Sequence, residues 1–333
     1  MSESNLFNYP PSIVCMGEIL IDMFPAELGR KLTEVSAFHP KPGGAPANVA
    51  VAAERLGAHS AVIGKVGEDA FGKFLIGVIQ EQGVEARGIR VDPYARTTMA
   101  FIAMPDANTS EFIFYRNPGA DLMISPQDLD RNLIAGSHAF HFGSLSLVAE
   151  PARSATREAV RLAREAGALI SFDVNYRPSL WARPGEALEQ AWGMLSQVDL
   201  LKVNETEVLL LAGQNTDLPS ACERLVAQGP RLIAVTLGQR GSFYYSPGGQ
   251  GPVPAFPVQA VDATGCGDAF AGALLSRLVS APSWREELCS PALREHFRFA
   301  NAAGAITALK QGVIPALPGI GQVNAFLRDH PAS

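Results

Sequence analysis

The sequence predicts a three-layer α/β domain with a mainly parallel central sheet and a small β-sheet lid. Three observations predict it. Short apolar runs alternate with amphipathic segments of helical period along most of the chain. The interval 89–117 breaks that rhythm, reading as strands joined by the polar tip PDANTS with no room for a crossover helix. No repeat, low-complexity tract or clear linker separates the two patterns. The lid is therefore expected to be interleaved with the main domain, over about 23–42 and 89–120 of a single domain spanning 1–333.

In chain order, IVCMGEILID (13–22) is expected as the first strand and APANVAVAAERLG (45–57) as the first helix. SAVIGKV (60–66) follows as a strand, and a helix near 70–82 precedes the irregular interval. Beyond it, strands HAFHFGS (138–144), ALISFDV (168–174), DLLKV (199–203) and RLIAVTLG (231–238) alternate with helices near 150–166, 184–196, 204–213 and 218–228. The glycines at 57, 64, 67 and 72 are expected in turns.

A chain of 333 residues exceeds what one hydrophobic core usually serves, which agrees with a large domain bearing an appended element. The net charge of -6 argues against a general nucleic-acid binder, which would show a basic face. MSESNLFNYPPS has no basic region followed by an apolar core, and the apolar runs are too short to span a bilayer, so no membrane partner is expected. Cys15, Cys222, Cys266 and Cys289 lie far apart with no CxxC pair, a pattern that fits a reduced cytoplasmic protein and gives no zinc signature.

Two glycine-rich stretches fail as nucleotide motifs, or succeed as something else. GEDAFGKF (67–74) matches a P-loop until Phe74, where a Ser or Thr must meet Mg²⁺, and no G-x-G-x-x-G follows the first strand. DATGCGDAF (262–270) differs. Gly265 and Gly267 allow a sharp turn, while Phe270, Ala273, Leu274 and Leu278 have the spacing of one buried helix face. The unfilled N–H groups and dipole of a helix start form an anion site. From the residues alone two roles stay open: Asp262 or Asp268 caps the helix, or the amides hold a phosphoryl group while Asp268 accepts a hydroxyl proton. KPGGAPANVA (41–50) likewise places Gly43, Gly44 and Asn48 at a helix start, either as an ordinary left-handed turn or as a close approach to a hydroxyl-rich ligand.

At these two stretches the chain resembles the ribokinase-like, PfkB-type carbohydrate kinases. The resemblance runs from about 13 to 327, and its signatures are GGAPANVAVAAERLGAHSAVIGKVGEDAFG (43–72) and DATGCGDAFAGALL (262–275). Within that family GEILID, FYRNPGAD, TLGQRG and ANAAGAITALKQGVIPALP are most similar to fructokinases. The resemblance implies ATP-dependent phosphorylation of a sugar's primary hydroxyl, with fructose the expected acceptor and 2-keto-3-deoxygluconate an alternative. A silent sugar- or nucleotide-binding regulator is the non-enzyme alternative, and it would be expected to lose the base or the glycine turn.

Carried over by position, the resemblance implies that Asp268 is the base and that the amides of Gly265, Cys266 and Gly267 form the anion hole. Asp22, Gly43, Gly44 and Asn48 would hold sugar hydroxyls, Arg116 and Arg177 would reach the substrate, and Phe101 and Phe114 would face it from the lid. Thr236, Gly238, Gly241 and Asn301 would line the adenosine pocket. Asn204 and Glu207 would organise Mg²⁺ through water, and Asp262 and Gly312 fall where related kinases often bind a monovalent cation, with K⁺ the candidate. If the lid sheet exposes an apolar face, a symmetric homodimer covering it is the expected partner.

Each assignment has a plainer competitor. Arg116 and Arg177 could instead serve as surface ion-pair partners, Asp22 as a turn cap, Asn204 and Glu207 as a helix start, and Phe101 and Phe114 as lid packing. His138 and His141 are expected in the core or at a sheet end. Ala263, Cys266, Val174 and Tyr176 depart from the family pattern, and the last two put the sugar-side wall in doubt.

Overall fold

Residues 13–22 do not form one strand. Gly17, with φ at +154°, interrupts the run, and the chain passes from one sheet to another across it. The computed structural model describes residues 11–106, 109–183 and 185–331, so the tip expected at 105–110 lies partly outside the described residues.

Among the described residues the strands are β1 (Ile13–Met16), β2 (Leu20–Pro25), β3 (Phe38–Gly43), β4 (Ser60–Gly67), β5 (Glu85–Asp92), β6 (Met99–Asp106), β7 (Thr109–Tyr115), β8 (Ala139–Gly143), β9 (Leu169–Asp173), β10 (Leu200–Asn204), β11 (Leu232–Thr236), β12 (Ser242–Ser246) and β13 (Gly249–Val253). The helices are α1 (Ala45–Arg55), α2 (Ala70–Glu81), α3 (Arg131–Ala135), α4 (Ala152–Glu165), α5 (Glu186–Leu195), α6 (Glu205–Ala212), α7 (Leu218–Val226), α8 (Cys266–Val279), α9 (Trp284–Glu287), α10 (Leu293–Thr307) and α11 (Ile320–Asp329).

The large sheet has the order β13-β12-β11-β10-β9-β8-β1-β4-β5. It is parallel from β11 to β5, and only β12 and β13 run antiparallel. β4 and β5 lie on one side of β1 while β8 to β11 build outward on the other, so the order reverses at β1. In open α/β sheets such a reversal opens a crevice at the carboxyl ends of the strands, where ligands bind. Two apolar clusters cover the sheet: α1, α8 and α10 pack on one face, and α4, α5, α6 and α7 on the other.

The small sheet has the order β3-β2-β6-β7. Its extent differs from the sequence expectation in two places. It takes in Leu20–Asp22 before residue 23, and residues 89–92 instead belong to β5, the edge strand of the large sheet.

The spaced glycines also differ. Gly57 ends α1 in a left-handed turn, but Gly64 lies inside β4 and Gly72 inside α2. A β-carbon at Gly72 would stand 2.1 Å from the Gly67 carbonyl oxygen, so packing, not a turn, requires glycine there. The rejected P-loop has a clear alternative: Asp69 fills the start of α2, its Oδ1 accepting from Gly72 N at 2.8 Å.

Phe270, Ala273, Leu274 and Leu278 are buried, as their spacing predicts. Burial of the larger of these side chains contributes about 1.5–3 kcal/mol each. Across this interface a β-carbon at Gly272 would meet the Ala52 β-carbon at 2.6 Å. That glycine lets α8 approach α1 closely, and the approach brings Asn48 to Asp268.

Candidate active site

α8 begins without a side-chain cap. Its first flanking residue, Gly265, has φ at +78°, and no side chain accepts from the first-turn amides. A β-carbon there would be strained by backbone conformation and would stand 2.2 Å from Val313 Cγ1. Cys266 N donates back to Ala263 O at 3.3 Å, closing the turn. The N–H groups of Gly265, Gly267 and Asp268 have no partner among the described residues. Two of the three expected anion-hole amides are thus free, while Cys266 spends its amide on the turn. Burial pushes the Cys266 thiol up to about 12, so it is a small uncharged side chain here.

Asp268 does not cap its helix. Its Oδ2 accepts from Asn48 Nδ2 at 2.8 Å, and Oδ1 carries no protein hydrogen bond among the described residues. Burial pushes its carboxyl up to about 6; the Asn48 hydrogen bond opposes this, Asp173 adds to it, and Lys202 and Arg177 oppose it. Asp262 does not cap α8 either; it braces the turn before it. Its Oδ1 accepts from Thr264 N at 2.9 Å and its Oδ2 from Gly312 N at 3.0 Å, tying the turn before α8 to the loop after α10.

The side chain of Asp22, on β2, makes no hydrogen bond among the described residues, and the residue is 9% exposed. Burial pushes it up to about 7, with Asp268 and Glu18 adding to the effect and Arg177 opposing it. It is therefore not a turn cap. A β-carbon at Gly43 would stand 2.0 Å from Asp22 Oδ2, so Gly43 makes room for this carboxylate. Gly44, φ +106°, begins α1, and Ala45 N donates to Glu18 Oε1 at 3.0 Å. Glu18 Oε2 and Asn48 Oδ1 are buried without a partner.

Arg116 is neither a surface ion-pair partner nor free. It is buried, its Nε donating to Asp121 Oδ2 at 2.8 Å and its Nη2 to the same carboxylate and to Leu145 O at 3.0 Å. Only Nη1 is unpartnered. Arg177, at the end of the β9 segment, carries its guanidinium 5.4 Å from the centre of the Phe112 ring. The same charge acts on Asp22 and Asp268.

The two lid phenylalanines separate. Asp22 lies beside Ala100, which pairs with Phe114, whereas Phe101 pairs with Ile113 one step along the ladder. Because strand side chains alternate, Phe114 shares the face of Asp22 and Phe101 points to the opposite face. There Phe101 packs edge-on against Phe38 at 5.0 Å and Tyr115 at 5.3 Å. Phe101 is thus a packing residue of the outer face, and Phe112 joins Phe114 on the inner one.

On the expected nucleotide side, Thr236 ends β11 and its hydroxyl donates to Val203 O at 3.4 Å. Gly238 and Gly241 both have positive φ in the turn that follows. Asn301 Nδ2 donates to Val253 O at 3.0 Å and Pro254 O at 3.2 Å, and a β-carbon at Gly241 would stand 2.2 Å from Val253 O. Both residues shape the strand end at 253–254.

Asn204 and Glu207 form a complete capping box: Glu207 N donates to Asn204 Oδ1 at 2.9 Å and Asn204 N to Glu207 Oε2 at 2.8 Å. Glu207 Oε1 also accepts from Tyr176 N at 2.7 Å. No group of three or more His, Cys, Asp or Glu side chains among the described residues is placed to hold a metal ion. Each Glu207 oxygen accepts one backbone hydrogen bond and keeps a second lone pair, enough to accept from a metal-bound water.

Sequence reasoning missed Asp173 and Lys202, whose side chains pair at 2.8 Å beneath α8. Their signal was a charged residue inside each of two otherwise apolar strands, SFDV and LLKV. His141, in β8, is buried as expected; its Nδ1 meets Ser171 Oγ at 2.9 Å and burial pushes it down to about 4, leaving it neutral. His138 is exposed at the sheet end.

This arrangement has counterparts. The family model for pfkB family carbohydrate kinases matches residues 10–319. Fructokinase-1 of Zea mays is 44% identical over 311 residues, covering 93% of this chain and 96% of that protein. Fructokinase-2 of Solanum lycopersicum is 43% identical over 316 residues, covering 95% and 96%. Among solved structures, fructokinase with bound ATP from Xylella fastidiosa superposes with a TM-score of 0.87 at 34% identity, covering 96% of this chain and 98% of that one. A double mutant of Vibrio cholerae fructokinase, solved with fructose, ADP and potassium ion, gives 0.85 at 30% identity, covering 96% and 99%. With both signatures meeting at the Asn48–Asp268 contact, the chain belongs to the pfkB family of carbohydrate kinases.

Proposed function

We propose that the protein transfers the γ-phosphate of ATP to a primary hydroxyl of D-fructose, giving fructose 6-phosphate. One observation carries the chemistry: Asp268 has an unshared carboxylate oxygen beside unfilled amides at a helix start. The sugar oxygen attacks the γ-phosphorus, the bond to the bridging oxygen of ADP breaks, and Asp268 Oδ1 receives the hydroxyl proton. The amides of Gly265 and Gly267 meet charge on the transferring oxygens. Asp22 accepts from sugar hydroxyls, Asn48 orients Asp268, and Arg177 favours the charged forms of Asp22 and Asp268 against their burial.

Asn204 and Glu207 would hold Mg²⁺ through its water shell, and the ion would supply neutralisation of phosphate charge. Asp262, anchored by two backbone amides, is the candidate partner for K⁺ at Gly312. Thr236, Gly238, Gly241 and Asn301 shape the wall that receives adenosine. The fructose assignment is supported by the similarity to plant and bacterial fructokinases. Initial rates on fructose, ribose and 2-keto-3-deoxygluconate with MgATP test it: the highest kcat/KM is expected for fructose. A clear preference for another acceptor would overturn fructose and leave sugar phosphorylation standing.

A second copy of the chain is the proposed occupant of the lid's outer face. Ile113 and Tyr115 are exposed there beside Phe38 and Phe101, an apolar strip on an open sheet. Four free cysteines support a reducing compartment, in keeping with the cytoplasm.

A further inference from the structure

Lys202 places an ammonium against the backbone of the anion hole. It lies on β10, and its Nζ donates to Asp173 Oδ2 at 2.8 Å, the only hydrogen bond of that ammonium among the described residues. Two of its three donors are therefore unfilled. A β-carbon at Gly267 would stand 3.0 Å from Nζ and 3.7 Å from Cε, the nearest atoms to that position. Glycine at 267 leaves no side chain between the ammonium and the first turn of α8, where the Gly267 amide is unfilled.

A structural role does not account for this arrangement. A buried ion pair returns its desolvation cost only when its remaining donors are satisfied, and an apolar pair of similar volume often serves stability as well. Lys202 and Asp173 sit in otherwise apolar strands, and the lysine is only 7% exposed. Its charge is nevertheless secure: burial opposes the ammonium, and Asp173 and Glu207 outweigh burial and hold it above its ordinary value. The cluster holds a permanent positive charge with spare donors next to amides suited to an anion.

We propose that Lys202 is a catalytic residue that donates to the phosphoryl group in transfer, adding a full charge to the amides of Gly265 and Gly267. This rests on the kinase function proposed above. The four-carbon stem gives the ammonium the reach to follow the phosphoryl oxygens as charge spreads over them. Asp173 has a separate part: its Oδ2 accepts from the ammonium and so competes with pairing between Lys202 and Asp268, leaving the base unquenched.

The test compares wild type with Lys202→Met and with Asp173→Asn/Lys202→Met, the second removing both buried charges so that neither is left unpaired. The kcat for fructose is measured from pH 6 to 9, and the melting shift with fructose alone is measured in parallel. A phosphoryl contact predicts a loss of roughly a hundredfold in kcat at every pH, in line with removal of one transition-state donor, with the fructose-induced melting shift retained. Near-normal kcat in either folded variant would overturn the proposal. Recovery to the wild-type plateau at alkaline pH would overturn it too, because Lys202 would then act only by easing Asp268 ionisation. The underlying function is read separately, from the unsubstituted chain: absence of phosphate transfer to any sugar there would remove both.

Discussion

Helices α6 and α8 each carry an acid at the third position of the first turn, and the two acids have opposite fates. Glu207 reaches back to the Asn204 amide and closes a capping box, so the start of α6 is filled from within. Asp268 follows a glycine that has no side chain to offer, and it turns away to Asn48 on another helix. The start of α8 is left with unfilled donors and an unshared carboxylate oxygen. A helix start that satisfies itself keeps no amides for an anion; one left open is available to it.

The substitution most able to break this comparison is Asp268→Asn. Asparagine keeps the size of the side chain and removes the proton acceptor, and general-base catalysis is worth about 10² to 10⁴ in rate. The kcat should fall by at least roughly a hundredfold, with ATP affinity little changed. Stability should not fall with it. Because the folded carboxyl is raised, its ionisation costs stability, a cost absent below the unfolded value near 3.8 and fully felt above about 6. Asp268→Asn should therefore melt no lower than wild type at pH 8. Asparagine caps a helix about as well as aspartate, so near-normal turnover in a folded Asp268→Asn protein of preserved stability would overturn the base assignment.

Glu207→Ala is the complementary change. It leaves the Asn204 and Tyr176 amides without their side-chain acceptor, and loss of a helix-start cap costs about 0.5–2 kcal/mol. The expected outcome is a melting temperature lower by several degrees, with turnover at saturating Mg²⁺ reduced far less than in Asp268→Asn. A loss of turnover as large as that of Asp268→Asn in an equally stable protein would erase the distinction between the two helix starts.

The contrast also shows what was legible beforehand. Period and composition placed the alternating strands and helices because each depends on its own apolar pattern, and the buried face of α8 followed directly. The break at Gly17 was hidden, since the run on both sides of it is equally apolar and only the sheet partner changes. The lid phenylalanines were placed on the right strands but assigned to one face, because strand register is set by pairing partners that a single strand does not reveal. Arg116 was named as a substrate contact without its anchor Asp121, five residues on, which sits in a short 3₁₀ turn that apolar periodicity does not mark. Lys202 and Asp173 escaped for a different reason: each is one charge in an apolar strand, and only the pairing of β9 with β10 makes them a site.

The smallest expected effect isolates the contact between α1 and α8. Asn48 donates to Asp268 Oδ2 and favours its charged form, so it opposes the burial that pushes the carboxyl up to about 6. In wild type, kcat/KM should fall as pH drops through about 6, because protonated Asp268 has no free site for the hydroxyl proton. Asn48→Ala removes the donor, raises the carboxyl further, and should move this acid limb to higher pH by a fraction of a unit to about one unit. Asn48 also belongs to the proposed sugar site, so the height of the profile falls for more than one reason; the position of the limb is the informative quantity. Asp22, pushed up to about 7, also ionises in this range, but it makes no hydrogen bond to Asn48. A limb that moves up with Asn48→Ala therefore identifies Asp268 as the titrating base. A limb that stays in place would assign it to Asp22 and leave the Asn48 contact as packing between two helices.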